Sequence, residues 1–284
     1  MYAITGITGQ VGGAVAENLL AVGEKVRAVV RSRDKGRAWG ERGCEVALAE
    51  VNDASALTNA FASAKGVFVM LPPIFDPSPG FPEAREAVES IRKALAAARP
   101  ARVVCLSTIG GQVERPNLLN QLHIMEKVAA GLKLPAAFLR PGWFMENCAW
   151  DVAPARERGV IPSFLQPLDR PLPMIATADI GTAAAELLLS STAAGVVEIE
   201  GPERISPNRI AATFSHLLGK EVTMQAVPRD SWESLFRAQG MKNPVPRMQM
   251  LDGFNEGWIE FEANPRKGTT PLETVLRSLL EQSA

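Results

Sequence analysis

Tyrosine is nearly missing from this chain of 284 residues: Tyr2 is the only one, beside two histidines and three cysteines. Each scarcity excludes something. Cys44, Cys105 and Cys148 are widely spaced and odd in number, which suits reduced core thiols better than a disulfide framework. With only His123 and His216 available, a histidine-rich metal site is excluded and no metal is expected. No apolar run approaches the ~20 residues that cross a bilayer. Neither sign of charge dominates: Lys+Arg 30 against Asp+Glu 31 leaves −1, so no global attraction to nucleic acid or an anionic membrane is expected. Internal repeats, low-complexity tracts and long linkers are absent. A cytoplasmic protein is expected, because the first apolar strand starts at residue 2 and leaves no room for a signal peptide.

What the chain does have is apolar material, 46% of it, enough for one substantial core with a smaller lobe attached. The stretch Tyr2-Ala3-Ile4-Thr5-Gly6-Ile7-Thr8-Gly9-Gln10-Val11-Gly12-Gly13 reads as a short strand running into a glycine-punctuated turn and then a helix. Gly6 lets the strand turn sharply, Gly9 lets backbone N–H groups of Thr8, Gln10 and Val11 approach a pyrophosphate, and Gly12 lets the helix pack on the sheet. The helix N-terminus supplies partial positive charge for the phosphates. An amphipathic helix through Val15, Leu19 and Val22 and a second strand, Lys25–Val30, complete a βαβ unit.

Strands and helices go on alternating through the first half. Candidate strands cover 3–5, 26–30, 45–49, 66–71, 102–107 and 136–140, and candidate helices 13–22, 34–42, 54–61, 83–98 and 118–130. Strands rich in Val, Leu and Ala are expected to be covered on both faces, which predicts a parallel sheet. After Gly142 the rhythm changes. Ser206-Pro207 opens a helix that Gly219 closes, residues 221–227 alternate like a short strand, and Asp230 with Glu233 and Thr270 with Glu273 have capping-box spacing. Residues 178–189 and 196–200 read as a helix and strand returning to the main sheet. The predicted fold is α/β, a Rossmann-type doubly wound parallel sheet with a smaller C-terminal α+β lobe. Residues 1–151 with 176–200 form the dinucleotide-binding domain, and 152–175 with 201–284 the smaller substrate-binding lobe.

Cofactor choice is read at the end of the second strand. An NAD site usually places a carboxylate there for the ribose 2′-hydroxyl; here stand Arg31, Ser32 and Arg33, with Lys35 close behind. A guanidinium bonds a 2′-phosphate bidentately, so NADP is expected, with NADPH preferred over NADH; the bland alternative is that these are solvated loop charges. Leu71-Pro72-Pro73 lies at the carboxyl end of the fourth strand, where ligands bind in open α/β folds, with Phe75 just beyond; the same prolines could simply stiffen a loop. Pro141-Gly142-Trp143-Phe144 and Asn147 place flat apolar surface and one amide beside the nicotinamide, a pocket for a planar acceptor, or else pack the junction between lobes.

The form Gly-x-Thr-Gly-x-x-Gly resembles the short-chain dehydrogenase/reductase superfamily. In that superfamily an Asp after the third strand commonly contacts adenine, a place held here by Glu50 with Val51; an active-site hydroxyl follows the fifth strand, where Ser107 and Thr108 stand; and Tyr-x-x-x-Lys follows on a helix. Here His123 replaces that tyrosine, with Lys127 four residues on and on the same helix face. Together with Arg140–Asn147, Ala176–Ile180 and Gly201-Pro202-Glu203, these features resemble the NmrA-like group of atypical members, which includes NADPH-dependent quinone reductases, azoreductases and redox-sensing regulators. The resemblance implies that Lys127 holds the nicotinamide-ribose hydroxyls. An imidazole carries a proton near neutral pH without special tuning, so His123 is the candidate proton donor. Without the tyrosine the site is poorly suited to alcohol dehydrogenation. The expected activity is hydride transfer from NADPH to a small planar acceptor such as a quinone or azo compound; the alternative is an NADP(H)-binding redox sensor without turnover. The expected partner is a small-molecule substrate, not nucleic acid or membrane, and a homodimer is the assembly to consider.

Overall fold

A computed structural model describes residues 1–192 and 195–283; residues 193, 194 and 284 of the expected ranges lie outside those described. The first half alternates β1 (Tyr2–Thr5), α1 (Gln10–Ala21), β2 (Val26–Val30), α2 (Arg33–Glu41), β3 (Glu45–Leu48), α3 (Ala54–Phe61), β4 (Gly66–Val69), α4 (Pro82–Ala98), β5 (Arg102–Leu106), α5 (Asn120–Ala130) and β6 (Ala136–Pro141). Then come β7 (Trp143–Phe144), a 3₁₀ segment Met145–Asp151, α6 (Val152–Arg158), β8 (Val160–Ser163), β9 (Met174–Ile175), α7 (Thr177–Leu189) and β10 (Gly195–Glu200). The chain ends with α8 (Pro207–Leu218), β11 (Thr223–Ala226), α9 (Trp232–Ala238), α10 (Val245–Glu256), β12 (Arg266–Lys267) and α11 (Leu272–Gln282).

Among the described residues, eight strands form one sheet in the order β12-β10-β6-β5-β4-β1-β2-β3, and every pairing in it is parallel. Because successive side chains point to opposite faces, Tyr2 and Ile4 enter one apolar cluster while Ala3 enters another, and Val104 and Leu106 part from Val103 and Cys105 in the same way. That two-sided burial is what a Val- and Ala-rich parallel sheet requires. β3 departs from the expectation: as the edge strand it is half-buried to exposed along its length, having a neighbour on one side only. The short β12 also returns to the main sheet beside β10, which residues 266–267 do not advertise.

A third apolar cluster draws on residues from Ile109 to Leu280, with Trp232, Phe214 and Phe236 at its centre. Ser206 caps α8 by accepting from the Arg209 N–H, and Gly219 ends it in a left-handed conformation, as the sequence suggests. Two expected capping boxes do not form. Asp230 sits inside a 3₁₀ turn, Arg229–Ser231, that delays α9 to Trp232. Thr270 donates its hydroxyl to Asp179 Oδ1 at 2.8 Å instead of capping, and α11 starts after Pro271. In both cases a tertiary partner or turn outcompeted a local bond worth ~1 kcal/mol.

Candidate cofactor and acceptor site

The strand order reverses between β1 and β4, so the loops after them diverge and leave a crevice at the carboxyl end of the sheet. Gly6 adopts φ +63, and a Cβ on Gly12 would collide with the Gly6 carbonyl, so the turn and the close approach of α1 both require glycine. No side chain caps α1 and no acid lies in its first turn, so the orphan N–H groups of that turn are open to an anion. Around this loop is a cavity of about 290 Å³ lined by Thr5, Gly6, Thr8 and Gly9, by Arg31 and Lys35, by Glu50 and Val51, and by Met70, Pro72 and Pro73. Its shape and charge fit a dinucleotide: phosphate-seeking amides at one end and two cations where the 2′-phosphate is expected.

Gln10 and Val11 open α1, so their backbone N–H groups are among those free for an anion, although the Gln10 side chain is exposed and that of Val11 is buried in the core behind the loop. Several other predicted cofactor residues stand elsewhere. Arg33 is exposed on the first turn of α2 and does not line the cavity, whereas Lys35 does. Leu71 is buried, and its neighbours Met70 and Pro72 take the cavity wall. Pro141 and Gly142 are buried between strands: the Pro141 carbonyl accepts from the Ile109 N–H at 2.8 Å, and a Cβ on Gly142 would strike the Pro173 backbone. Gly142 thus serves β7–β9 packing.

The Ser107–His123–Lys127 set is pulled apart by its neighbours. The Ser107 hydroxyl donates to Glu126 and is buried with it. Arg140 binds the same Glu126 carboxylate through Nε at 2.9 Å and Nη2 at 2.7 Å, and faces Glu198 at 3.8 Å. Burial alone would lower the proton affinity of Arg140, but Glu126 and then Glu262 outweigh it and hold the guanidinium firmly charged. Ser107 is therefore a member of a buried ion network, which corrects its reading as a free active-site hydroxyl. His123 Nδ1 lies 2.6 Å from the Gly111 carbonyl; a carbonyl can only accept, so Nδ1 carries the proton and Nε2 faces away from it. Lys127 shares that helix face but is exposed, its Nζ 3.6 Å from Glu114 Oε1.

A second cavity, of about 140 Å³, opens beyond Pro73 and is lined by Phe75, Trp143, Asn147, Trp150, Met174 and Arg247, with Cys148 and Asp151 in its wall. An apolar void near 150 Å³ admits one benzene-sized ring, so this space suits a small aromatic acceptor. Trp143 meets Phe254 edge-on at 5.2 Å, and exposed Trp150 meets Phe75 edge-on at 6.3 Å over the mouth. Phe144, by contrast, packs against the core of the sheet and does not line the cavity. The loop carrying Phe75 is tied down by Asp76, whose carboxylate accepts from the N–H groups of Lys242 and Asn243 at 2.8 and 2.7 Å, just before α10. Those same bonds hold the Asp76 carboxyl below its ordinary value. Burial pushes the Asp151 carboxyl up to about 7, the Cys148 thiol offsetting only part of this, and raises Cys148 well above its usual range.

Asp151 and Arg247 are the two chemically active wall residues that sequence reasoning missed. Each sits in a helical stretch with no motif around it, and only folding brings both to one cavity.

The NmrA-like family model matches residues 2–261. The chain belongs to the NmrA-like family. Within it, the chain is 26% identical over 254 residues to quinone oxidoreductase 2 of Escherichia coli, covering 87% of this chain and 85% of that one. Its fold is similar to that of the Escherichia coli NADPH-dependent quinone oxidoreductase complexed with NADPH, with a TM-score of 0.82, 23% identity and full coverage of both chains. The Citrobacter sp. triphenylmethane reductase complexed with NADP(H) is similar at TM-score 0.79 and 18% identity, covering 100% of this chain and 99% of that one. No helix among the described residues is long and apolar enough to cross a membrane.

Proposed function

We propose that this NmrA-like chain is an NADPH-dependent reductase of small planar acceptors, quinones or azo compounds. The observation that carries this reading is that one loop, Met70–Phe75, contributes to two cavities: a phosphate-seeking one with Arg31 and Lys35, and an aromatic one, open at its mouth, that takes the reacting ring of an acceptor. The family membership and the names of its relatives support it.

When bound, NADPH would supply a hydride, that is two electrons and one proton, to the acceptor. The Gly6–Gly12 loop and the first turn of α1 would hold the pyrophosphate, Arg31 and Lys35 the 2′-phosphate, and Glu50 and Val51 the adenine side. Pro72 and Pro73 would wall the nicotinamide ribose, and Lys127 is the residue that would hold its hydroxyls. Trp143 and Phe75 orient the acceptor ring and exclude water from its faces, while Asn147 offers an amide to its oxygen or nitrogen. A second proton must arrive at the reduced acceptor. Two groups can carry it: His123, and Asp151, which lines the cavity itself and stays protonated up to about pH 7.

Following NADPH absorbance with a panel of quinones and azo dyes tests the activity; tight NADPH binding with no turnover on any acceptor would favour a redox sensor. With a poorly activated acceptor, loss of the proton donor should slow turnover by roughly 10²-fold or more. The slow variant, His123→Ala or Asp151→Asn, names the donor, and unchanged rates in both would mean that the proton comes from water.

A further inference from the structure

Arg247 stands three residues into α10 on the wall of the aromatic cavity, and it is the cation there without a counter-charge. Its Cζ lies 4.7 Å from the Phe236 ring centroid, 5.9 Å from that of Phe75 and 6.0 Å from that of Trp150. Among the described residues its guanidinium has no carboxylate within 4.0 Å, and its one hydrogen-bond contact is the weak one from Nη1 to Met241 Sδ at 3.8 Å. Arg229, nearby in the same lobe, shows the contrast: it is locked bidentately to Asp252 at 2.6 and 2.7 Å. Burial lowers the proton affinity of Arg247 with no neighbouring charge to restore it. Asp151, the one carboxyl in the wall, lies beyond 4.0 Å of that guanidinium, and burial keeps it uncharged below about pH 7.

A guanidinium presents five N–H donors in a fixed plane, and aromatic rings can satisfy its faces but not those donors. Leaving them unanswered in a half-buried setting is unfavourable unless a ligand completes them. We propose that Arg247 is an anion-recognition residue, and that the acceptors this chain takes are planar rings bearing a carboxylate or sulfonate, the ring lying between Trp143 and Phe75 and the anionic group on the Arg247 fork. Reduction of such rings rests on the reductase reading; the anion site itself does not. The pyrophosphate and 2′-phosphate of the cofactor belong to the other cavity, so Arg247 contributes to the acceptor and not to NADPH.

The test compares 1,4-naphthoquinone with its 2-sulfonate in the presence of NADPH, using the parent, Arg247→Lys and Arg247→Met. Arg247→Met should raise KM for the sulfonate by about 10-fold or more, the loss of a charge-assisted contact, while KM for the neutral quinone and the Kd for NADPH stay within twofold. Arg247→Lys keeps the charge and loses the fork, and should recover part of the loss. In parallel, quenching of tryptophan fluorescence by 2-naphthalenesulfonate and by uncharged 2-naphthol reads binding without turnover. If no quinone is reduced yet the sulfonate binds the parent at least 10-fold tighter than Arg247→Met, the reductase reading fails and the anion site stands. Equal loss of both quinones, equal binding of both naphthalenes, or a weakened NADPH Kd in Arg247→Met would overturn the proposal.

Discussion

The cofactor cavity is walled by loops that each follow a strand of one sheet, whereas the acceptor cavity is assembled from a loop, a 3₁₀ segment, a two-residue strand and helices spread from Phe75 to Leu251. The first is shaped chiefly by backbone: a glycine turn, a helix N-terminus and strand ends held in register by parallel ladders. The second is shaped by side chains, and by tertiary bonds such as those from Asp76 to Lys242 and Asn243. Backbone sites of the first kind can be shared by many chains with different acceptors, because the part that varies lies in the second. Outside both cavities, buried Arg140, Glu126 and Glu198 meet exposed Glu262 in an ion network that joins β6, α5 and β10 to the segment after α10.

The largest effect is expected at that junction. Arg140→Met leaves Glu126 and Glu198 as buried carboxylates without their cation and should cost about 3–5 kcal/mol in denaturant unfolding. A loss under 1 kcal/mol would mean that these elements are joined mainly by apolar contact. On the cofactor side, Arg31→Asp should shift the preference for NADPH over NADH by ~1.5–3 kcal/mol in calorimetric titrations, removing a charge-assisted contact and adding repulsion. Its effect on acceptor KM should be small, and a comparable effect on both would dissolve the distinction between cavities. Gly12→Val forces a side chain against the Gly6 carbonyl and should cost roughly 1–3 kcal/mol of stability, weakening NADPH while sparing binding of a naphthalene probe.

The effect that depends on pH concerns Asp151. Its carboxyl rises from the ordinary 3.8 to about 7 in the folded chain, so the folded state keeps a proton that the unfolded state releases. That contribution to stability is fully present below about pH 4 and is lost as pH rises to about 7. Asp151→Asn should flatten the dependence of stability on pH across this window and exceed the parent by about 4 kcal/mol at pH 8, at ~1.4 kcal/mol for each pKa unit. A parent whose stability rises from pH 5 to 7 would show that other groups outweigh Asp151.

Much of the cofactor half was legible residue by residue. Gly6, Thr8, Gly9, Arg31, Glu50, Val51, Pro72 and Pro73 line the cavity, because a βαβ unit fixes which strand ends meet and those ends are close in sequence to their motifs. The departures share one cause. Ser107, Thr270 and Gly142 each carry a local signal, a hydroxyl after a strand, a cap spacing or a glycine, and each is claimed by a partner distant in the chain: Glu126, Asp179 and Pro173. Phe75, Trp143 and Asn147 were found as aromatic and amide residues at strand ends, but nothing nearby in sequence marks Asp151 or Arg247.

By itself the sequence determined the alternation of strands and helices, the glycine turn and its charge environment, since hydrophobic period, φ-permissive residues and caps act over fewer than ten positions. Only the tertiary structure decided which charges are answered. Arg140 and Arg247 look alike in the chain, yet one is met by three carboxylates and the other has none within 4.0 Å among the described residues, because a counter-charge is supplied by whatever element packs opposite, and packing is a property of the whole fold.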